Sequence, residues 1–356
     1  MSSQKKLRVL HVLKSSVYSG AENVVITIIH SLSGQFEFIY VATDGPIRET
    51  LEKEKLSFCL LPSFNRKNLS EAIKKYEPDI VHAHDFSATV LCASLKGTFR
   101  LISHLHYDPP WVRKWNVKTI TYAWCRNRID HVLAVSGKSF SNMVFSERYR
   151  DKLTVVGNPM DREKILRLSR EIPEELENQN CDLIFVGRLV EQKNPQRFIR
   201  LVALLKEKGF TDVKAWMLGS GELEAECRQL IESCSLQNNV ELKGFQKNPY
   251  PYISHARLLC MTSRWEGFGL VLLEANILGV PAISTRTAGA EEVLGETAEE
   301  LCDGDEEMAE KAIQLWRNSD IYEIYRQYAL SRADKCSDLN SYMNIIQGLY
   351  RNEVKR

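Results

Sequence analysis

The sequence predicts an α/β protein of two doubly wound domains that face a central cleft. Three observations predict it. Short β-branched runs alternate with helical stretches in both halves, the rhythm of parallel βαβ units. That rhythm breaks at Asn158-Pro159-Met160-Asp161, and a charged stretch containing Glu171-Ile172-Pro173-Glu174-Glu175 follows before it resumes. The chain has 356 residues, more than one hydrophobic core usually holds.

Taken in order, Arg8 to Leu13 reads as a buried strand. Gly20 closes a polar loop, and Ala21 to Leu32 continues as a helix. Further strands are expected at Phe36–Ala42, Ser57–Leu61, Ile80–His84, Arg100–His104, His131–Val135 and Leu153–Val156. A second series is expected at Leu183–Val186, Val213–Leu218, Val240–Leu242, Leu258–Thr262 and Pro281–Ser284. From Asp305 the chain reads as mostly helical, with Trp316, Ile321, Ile324, Tyr325 and Tyr328 turned inward. The expected domains are 1–160 and 161–335, with 336–356 a helix that crosses back to the first domain. Doubly wound sheets bind ligands at the carboxyl ends of their strands, so the chemistry is expected just after strands.

Bulk composition narrows the class. Hydrophobic residues make up 44% and charged residues 26%, an ordinary soluble balance. No run approaches the ~18 apolar residues of a spanning helix, and Met1–Lys6 lacks the apolar stretch of a signal peptide. The nine cysteines contain no C-x-x-C pair, so they are expected as reduced thiols in a cytoplasmic protein. Residues 1–170 carry 26 Lys+Arg against 16 Asp+Glu, and the remainder 21 against 30. A basic first half suits an anionic partner such as a membrane surface; a nucleic-acid partner is not expected.

The most informative segment is Ser263-Arg264-Trp265-Glu266-Gly267-Phe268-Gly269-Leu270-Val271-Leu272-Leu273-Glu274-Ala275. A strand, a glycine loop and a helix start meet there. Backbone N–H groups and the positive end of a helix dipole suit an anion, a diphosphate above all. Glu266 and Glu274 beside it can hold sugar or ribose hydroxyls. A second joint of this kind is Gly187-Arg188-Leu189-Val190-Glu191-Gln192-Lys193-Asn194. There a guanidinium fork and an ammonium could neutralise a diphosphate and the charge that grows as it leaves. Ser19-Gly20-Ala21-Glu22 opens the first helix without the G-x-G-x-x-G of nicotinamide enzymes.

Other patterns point elsewhere. His82-Ala83-His84 and His104-Leu105-His106 each place two imidazoles on one strand face, which would suit a metallohydrolase. The expected reading is a strand-end His106 that contacts substrate, with the other histidines behind it and no metal. Asp303-Gly304-Asp305 reads as a solvated turn that caps a helix. Aromatic and basic residues mingle from Lys96 to Arg128, including Trp111, Arg113, Lys114, Trp115, Lys118 and Trp124, a mix that suits peripheral contact with an anionic membrane.

Taken together, these motifs make the sequence resemble the family-4 retaining glycosyltransferases of GT-B architecture, over nearly its whole length. Glu266 to Glu274 matches the family's E-x7-E motif. Gly187-Arg188…Lys193-Asn194, Gly219-Ser220-Gly221-Glu222, Gly244-Phe245…Asn248-Pro249, Asn158-Pro159 and Pro78 to His84 match in order. The resemblance implies two Rossmann-like domains, with C-terminal helices packing back on the first. It implies Arg188 and Lys193 on the donor diphosphate, Glu266 on donor-sugar hydroxyls, and backbone donors at Gly267, Phe268, Gly269 and Leu270. It also implies Glu274 on the ribose, Phe245 by the base, His106 near the donor sugar, and Gly20 near the phosphates. The family's glycine pairs are Ser19-Gly20 and Ala288-Gly289 here, which puts the closest approach at residue 19 in question.

The implied activity is transfer of a hexose-type sugar, with retained anomeric configuration, from a UDP- or GDP-sugar to a glycan or lipid-linked glycan. Surface polysaccharide assembly at the inner membrane face is the setting, with no cofactor or metal beyond the donor substrate. Alternatives are the metallohydrolase, a sugar-nucleotide epimerase and a non-catalytic nucleotide-sugar-binding protein.

Overall fold

The computed structural model describes residues 6–107, 109–336 and 338–352. Residues 1–5, Asp108, Ser337 and 353–356, which the sequence reading placed in its polar start, basic–aromatic stretch and tail, lie outside the described residues. The chain divides into two compact units. One runs to Pro159 and takes in the last helix, Leu339–Arg351; the other is Met160–Asp338.

The first unit is a seven-stranded parallel sheet. Its strands are β1 (Arg8–Val12), β2 (Glu37–Thr43), β3 (Phe58–Leu61), β4 (Ile80–His84), β5 (Arg100–Leu105), β6 (His131–Ala134) and β7 (Leu153–Val155), in the order β3-β2-β1-β4-β5-β6-β7. Every residue of β4 is buried, as are four of the five in β1. Helices cover both faces, which is why these strands read as near-continuous apolar runs. Leu10, Val12, Val81 and Ala83 point into one core, and Val9, Ile80 and Ile102 into the other. His11, His82, His84 and His104 continue the second face towards the strands' carboxyl ends, because side chains alternate with period two. The helix Gly20–Leu32 and the last helix pack on this face through Val24, Val25, Ile28, Ile346 and Tyr350.

The second unit is a six-stranded parallel sheet of β8 (Cys181–Val186), β9 (Ala215–Leu218), β10 (Val240–Gly244), β11 (Ala256–Met261), β12 (Ala282–Thr285) and β13 (Leu301–Cys302), in the order β10-β9-β8-β11-β12-β13. All twelve expected strands form, with ends moved by one or two residues. The two-residue β13 was not expected. One expectation about the tail needs correction: in the helix Ser319–Cys336, Tyr325 is buried, whereas Ile324 and Tyr328 are exposed. The cysteines among the described side chains are all free thiols, consistent with the reading as core filling at Cys92, Cys181, Cys227, Cys260 and Cys302, which are buried.

Candidate active site

In the second unit the strand order reverses between β8 and β11, which lie side by side. Loops after such a pair diverge and leave room at their carboxyl ends. Both sequence-marked joints fall here: Gly187–Asn194 after β8, and Thr262–Gly269 after β11. The helices that follow, Pro195–Glu207 and Leu270–Ile277, start without a side-chain cap on their first amides. Gly269 enters its helix at φ 78°, a left-handed conformation that favours glycine.

The two loops are stitched together. The Arg264 amide donates to Gln192 O (2.8 Å), the Gln192 side chain donates to Trp265 O (3.1 Å), and the Thr262 hydroxyl bonds the Lys193 and Asn194 carbonyls. The Lys193 ammonium pairs with Glu266 Oε1, which also accepts from the Ser263 hydroxyl at 2.6 Å. Glu266 is buried, so this ammonium and hydroxyl offset its desolvation. Gly289 holds the loop from below. Its amide donates to Glu266 O, and a Cβ there would stand 2.6 Å from the Phe268 amide nitrogen. Gly289→Ala is therefore expected to displace the Glu266–Gly269 turn and destabilise the fold, read as a lowered Tm; an unchanged Tm would count against this packing.

Arg188 is exposed, and its carbonyl accepts from the Val190 amide at 2.9 Å, but its guanidinium has no ion pair or hydrogen bond among the described residues, leaving its fork open to a ligand. Glu274 lies in the second turn of its helix, half-buried. Burial pushes its carboxyl up to about 7, against the opposing pull of the Lys193 ammonium and a hydrogen bond from Tyr250. Phe245 follows edge strand β10 and is 67% exposed. An open polar pocket of about 440 Å³ is lined by Glu191, Asn194, Glu222 and Arg264, but by none of Arg188, Lys193, Glu266 or Glu274.

The first unit has its own reversal, between β1 and β4. Gly20 starts the helix after β1, where the buried Glu22 accepts from the Ser19 hydroxyl. Asp85, directly after β4, holds φ at 67°, a strained value for a non-glycine residue. Its Oδ1 accepts from the His106 amide at 3.0 Å, and burial, with a smaller contribution from Glu22, raises it to about 7. His106 lies one residue beyond β5. Burial lowers its imidazole to about 4, while Asn158 beside it favours the protonated ring. Two triples, His11/His82/His84 and His84/His104/His106, have nitrogens within 4.8 Å of one another and are the metal-capable groups among the described residues. Asp303 and Asp305 are held by Arg286 and Arg197. The expected capping by these aspartates does not form, because the helix Asp305–Arg317 opens on Gly304 without a side-chain cap, and the Asp303 amide donates to Glu307 instead.

The profile of the family described as Glycosyl transferases group 1 matches residues 148–332, and that of Glycosyltransferase Family 4 matches residues 18–164. The chain belongs to the group 1 glycosyltransferases.

A glycosyltransferase of Methanocaldococcus jannaschii described as uncharacterized is 29% identical over 60% of this chain and 57% of its own length. An Escherichia coli UDP-Gal:α-D-GlcNAc-diphosphoundecaprenol α-1,3-galactosyltransferase is 24% identical over 81% of each chain. A Campylobacter jejuni N-acetylgalactosaminyltransferase, named for a diphospho-undecaprenol acceptor, is 30% identical over 51% of this chain and 49% of its own. The chain thus spans about half the length of two of these relatives. Among solved structures, Anabaena HepE in complex with UDP and glucose superposes with a TM-score of 0.85 at 18% identity, over 97% of this chain and 100% of that one. This likeness fixes the fold: each unit is a Rossmann-like domain of the GT-B type.

Sequence reading of this glycosyltransferase missed three groups. Asp85 was hidden because nothing in a residue's identity announces a positive φ, Ser263 because a hydroxyl before Glu266 is unremarkable, and Tyr350 because it lies more than 260 residues from His82, which it bonds.

Proposed function

We propose that this glycosyltransferase moves a hexose-type sugar, with retention, from a UDP- or GDP-sugar to a lipid-linked glycan in surface polysaccharide assembly. The observation that carries the reading is the pairing of two uncapped helix starts with Arg188, Lys193, Glu266 and Glu274 on the adjacent loops after β8 and β11. In this reading Arg188, the Lys193 ammonium and the amides of Gly267 to Leu270 take the donor diphosphate and stabilise it as it leaves. Glu266 receives donor-sugar hydroxyls, Glu274 the ribose, and Phe245 stacks near the base. Within the first unit, Gly20 and His106 are the candidate substrate contacts. The acceptor attacks from the face the diphosphate leaves, and the departing phosphate oxygen takes its proton. Cationic side chains and amides do the work of a metal ion, so transfer from the donor is expected to survive EDTA; complete loss, restored by a divalent ion, would overturn this. A panel of nucleotide sugars in a thermal-shift assay names the donor, since binding raises Tm by mass action.

The acceptor reading rests on a surface of the first unit. Trp115 is 55% exposed, and Val117 and Trp124 are each 80% exposed around the helix Val117–Trp124. Lys114, Lys118, Arg126 and Arg128 flank them, with no Asp or Glu from 109 to 129. Exposed indoles amid cations match the interface of an anionic bilayer. No helix among the described residues is long and apolar enough to cross a membrane, so the contact proposed is peripheral. Cosedimentation with phosphatidylglycerol vesicles is expected and should fall sharply in Trp115→Ser/Trp124→Ser; equal binding to neutral vesicles would remove the lipid assignment.

A further inference from the structure

Five histidines and one tyrosine of the first unit form a single file of nitrogen and oxygen contacts. His106 Nε2 lies 2.8 Å from His84 Nδ1, and His84 Nε2 lies 2.9 Å from His11 Nδ1. His11 Nε2 is 3.3 Å from the Tyr350 hydroxyl, which is 2.8 Å from His82 Nδ1. His82 Nε2 is 3.2 Å from His104 Nδ1. The file ends at His104 Nε2 and His106 Nδ1, both buried without a hydrogen-bond partner, as is Asn158 Oδ1 next to His106. All but His106 are buried. Burial holds all five imidazoles neutral at pH 7, and neighbouring rings further resist a charge on His11, His82, His84 and His104. Sequential rings stack at 16–27° between His82 and His104, His84 and His106, and His11 and His84. Two nitrogens on one tetrahedral zinc would be about 3.3–3.4 Å apart, wider than the 2.8 and 2.9 Å contacts that join His106, His84 and His11.

Proton counting then fixes the file's behaviour. A neutral imidazole carries one N–H and the phenol one O–H, so six protons serve five contacts. Each contact needs one proton. The sixth must sit at one end, and choosing the end sets every other proton. Either all five rings are Nδ1–H, with His106 Nδ1–H directed at Asn158 Oδ1, or all five are Nε2–H, with a buried His104 N–H left unpaired. The first puts a donor beside Asn158 Oδ1, which otherwise has none, and leaves a lone pair at His104 unmet, whereas the second buries a His104 N–H with no acceptor beside it; unmet acceptors are better tolerated than orphaned donors. We infer that Tyr350, His11, His82, His84 and His104 are positioning residues that hold His106 as an Nδ1–H donor, all five rings sharing one tautomer. The Nδ1–H then passes from Asn158 to a substrate oxygen when substrate binds. This last step rests on the proposed role of His106; the shared tautomer does not.

Nitrogen-15 NMR of the full chain with labelled histidine at pH 7.5, metal content measured in the same sample, tests the tautomers. Five rings as Nδ1–H are expected; mixed tautomers, a uniform Nε2–H set, or a stoichiometric metal would overturn the inference. Kinetics test the coupling. Tyr350→Phe removes the proton that joins the two halves and is expected to lower kcat about tenfold, the worth of roughly one hydrogen bond, with donor KM unchanged. In a His106→Gln background the same change should have no further effect on kcat. Additive losses, as from simple structural damage, would overturn the positioning role. Wild-type turnover in His106→Gln alone would instead refute the placement of His106 at the substrate, leaving the tautomer result to stand or fall by itself.

Discussion

Lowering the pH from 7.5 to 5.5 is expected to cost the first unit about 5 kcal/mol of stability. Burial depresses His11 to about 3 and His106 to about 4, and places His82, His84 and His104 well below their ordinary 6.5. Below 6.5 the unfolded chain takes up protons that the folded one refuses, so stability is full above 6.5 and falls with pH towards the folded values. Each ring contributes about 1.4 kcal/mol per pH unit, or about 7 kcal/mol for five at pH 5.5. Asp85 works the other way. Its raised folded value, about 7 against 3.8 unfolded, destabilises above that range and returns about 2 kcal/mol over the same interval. A net loss of about 5 kcal/mol is a large part of a typical domain's 5–15 kcal/mol. Urea midpoints by circular dichroism at the two pH values check this. A midpoint that does not move would mean that the rings are not held neutral.

Arg188→Ala and Lys193→Ala are each expected to lower turnover by ~10² or more, the scale of losing one group that stabilises developing charge, yet they should differ in stability. Arg188 is exposed and unpaired among the described residues, so its loss should leave Tm unchanged. Lys193 neutralises the buried Glu266, and removing one partner of such a pair costs about 3 kcal/mol, the lower end of the usual range because the lysine keeps some solvent contact. Melting curves beside steady-state rates separate the two. Near-normal turnover in either variant would remove that residue from the proposed diphosphate site.

Parallel strands buried on both faces are contiguous apolar runs, which is why β1 to β12 could be read in order from composition and turns alone. β13 was not legible, because two residues between acidic flanks carry no pattern. The helix Ser319–Cys336 has apolar residues around its whole circumference, so periodicity could not choose between Tyr325 and its neighbours Ile324 and Tyr328. In the site, the strand–loop–helix joints and their charged residues were visible because glycines and apolar helix starts punctuate them. Their partnership was not. Lys193 and Glu266 are 73 positions apart and meet only because β8 and β11 are neighbours in the sheet. The same limit applied to the histidines. The H-x-H spacing announced two rings per strand face, but β1 supplies His11 and the last helix supplies Tyr350, and only the folded sheet joins them.

Isothermal titration of UDP and GDP into the full chain, its Arg188→Ala form and its Glu274→Ala form, in EDTA, bears most directly on the donor site. One nucleotide should bind the parent chain at a single site, with affinity at least tenfold weaker in both variants. Failure of both nucleotides to bind, or equal affinity in all three proteins, would contradict a diphosphate held by the loops after β8 and β11.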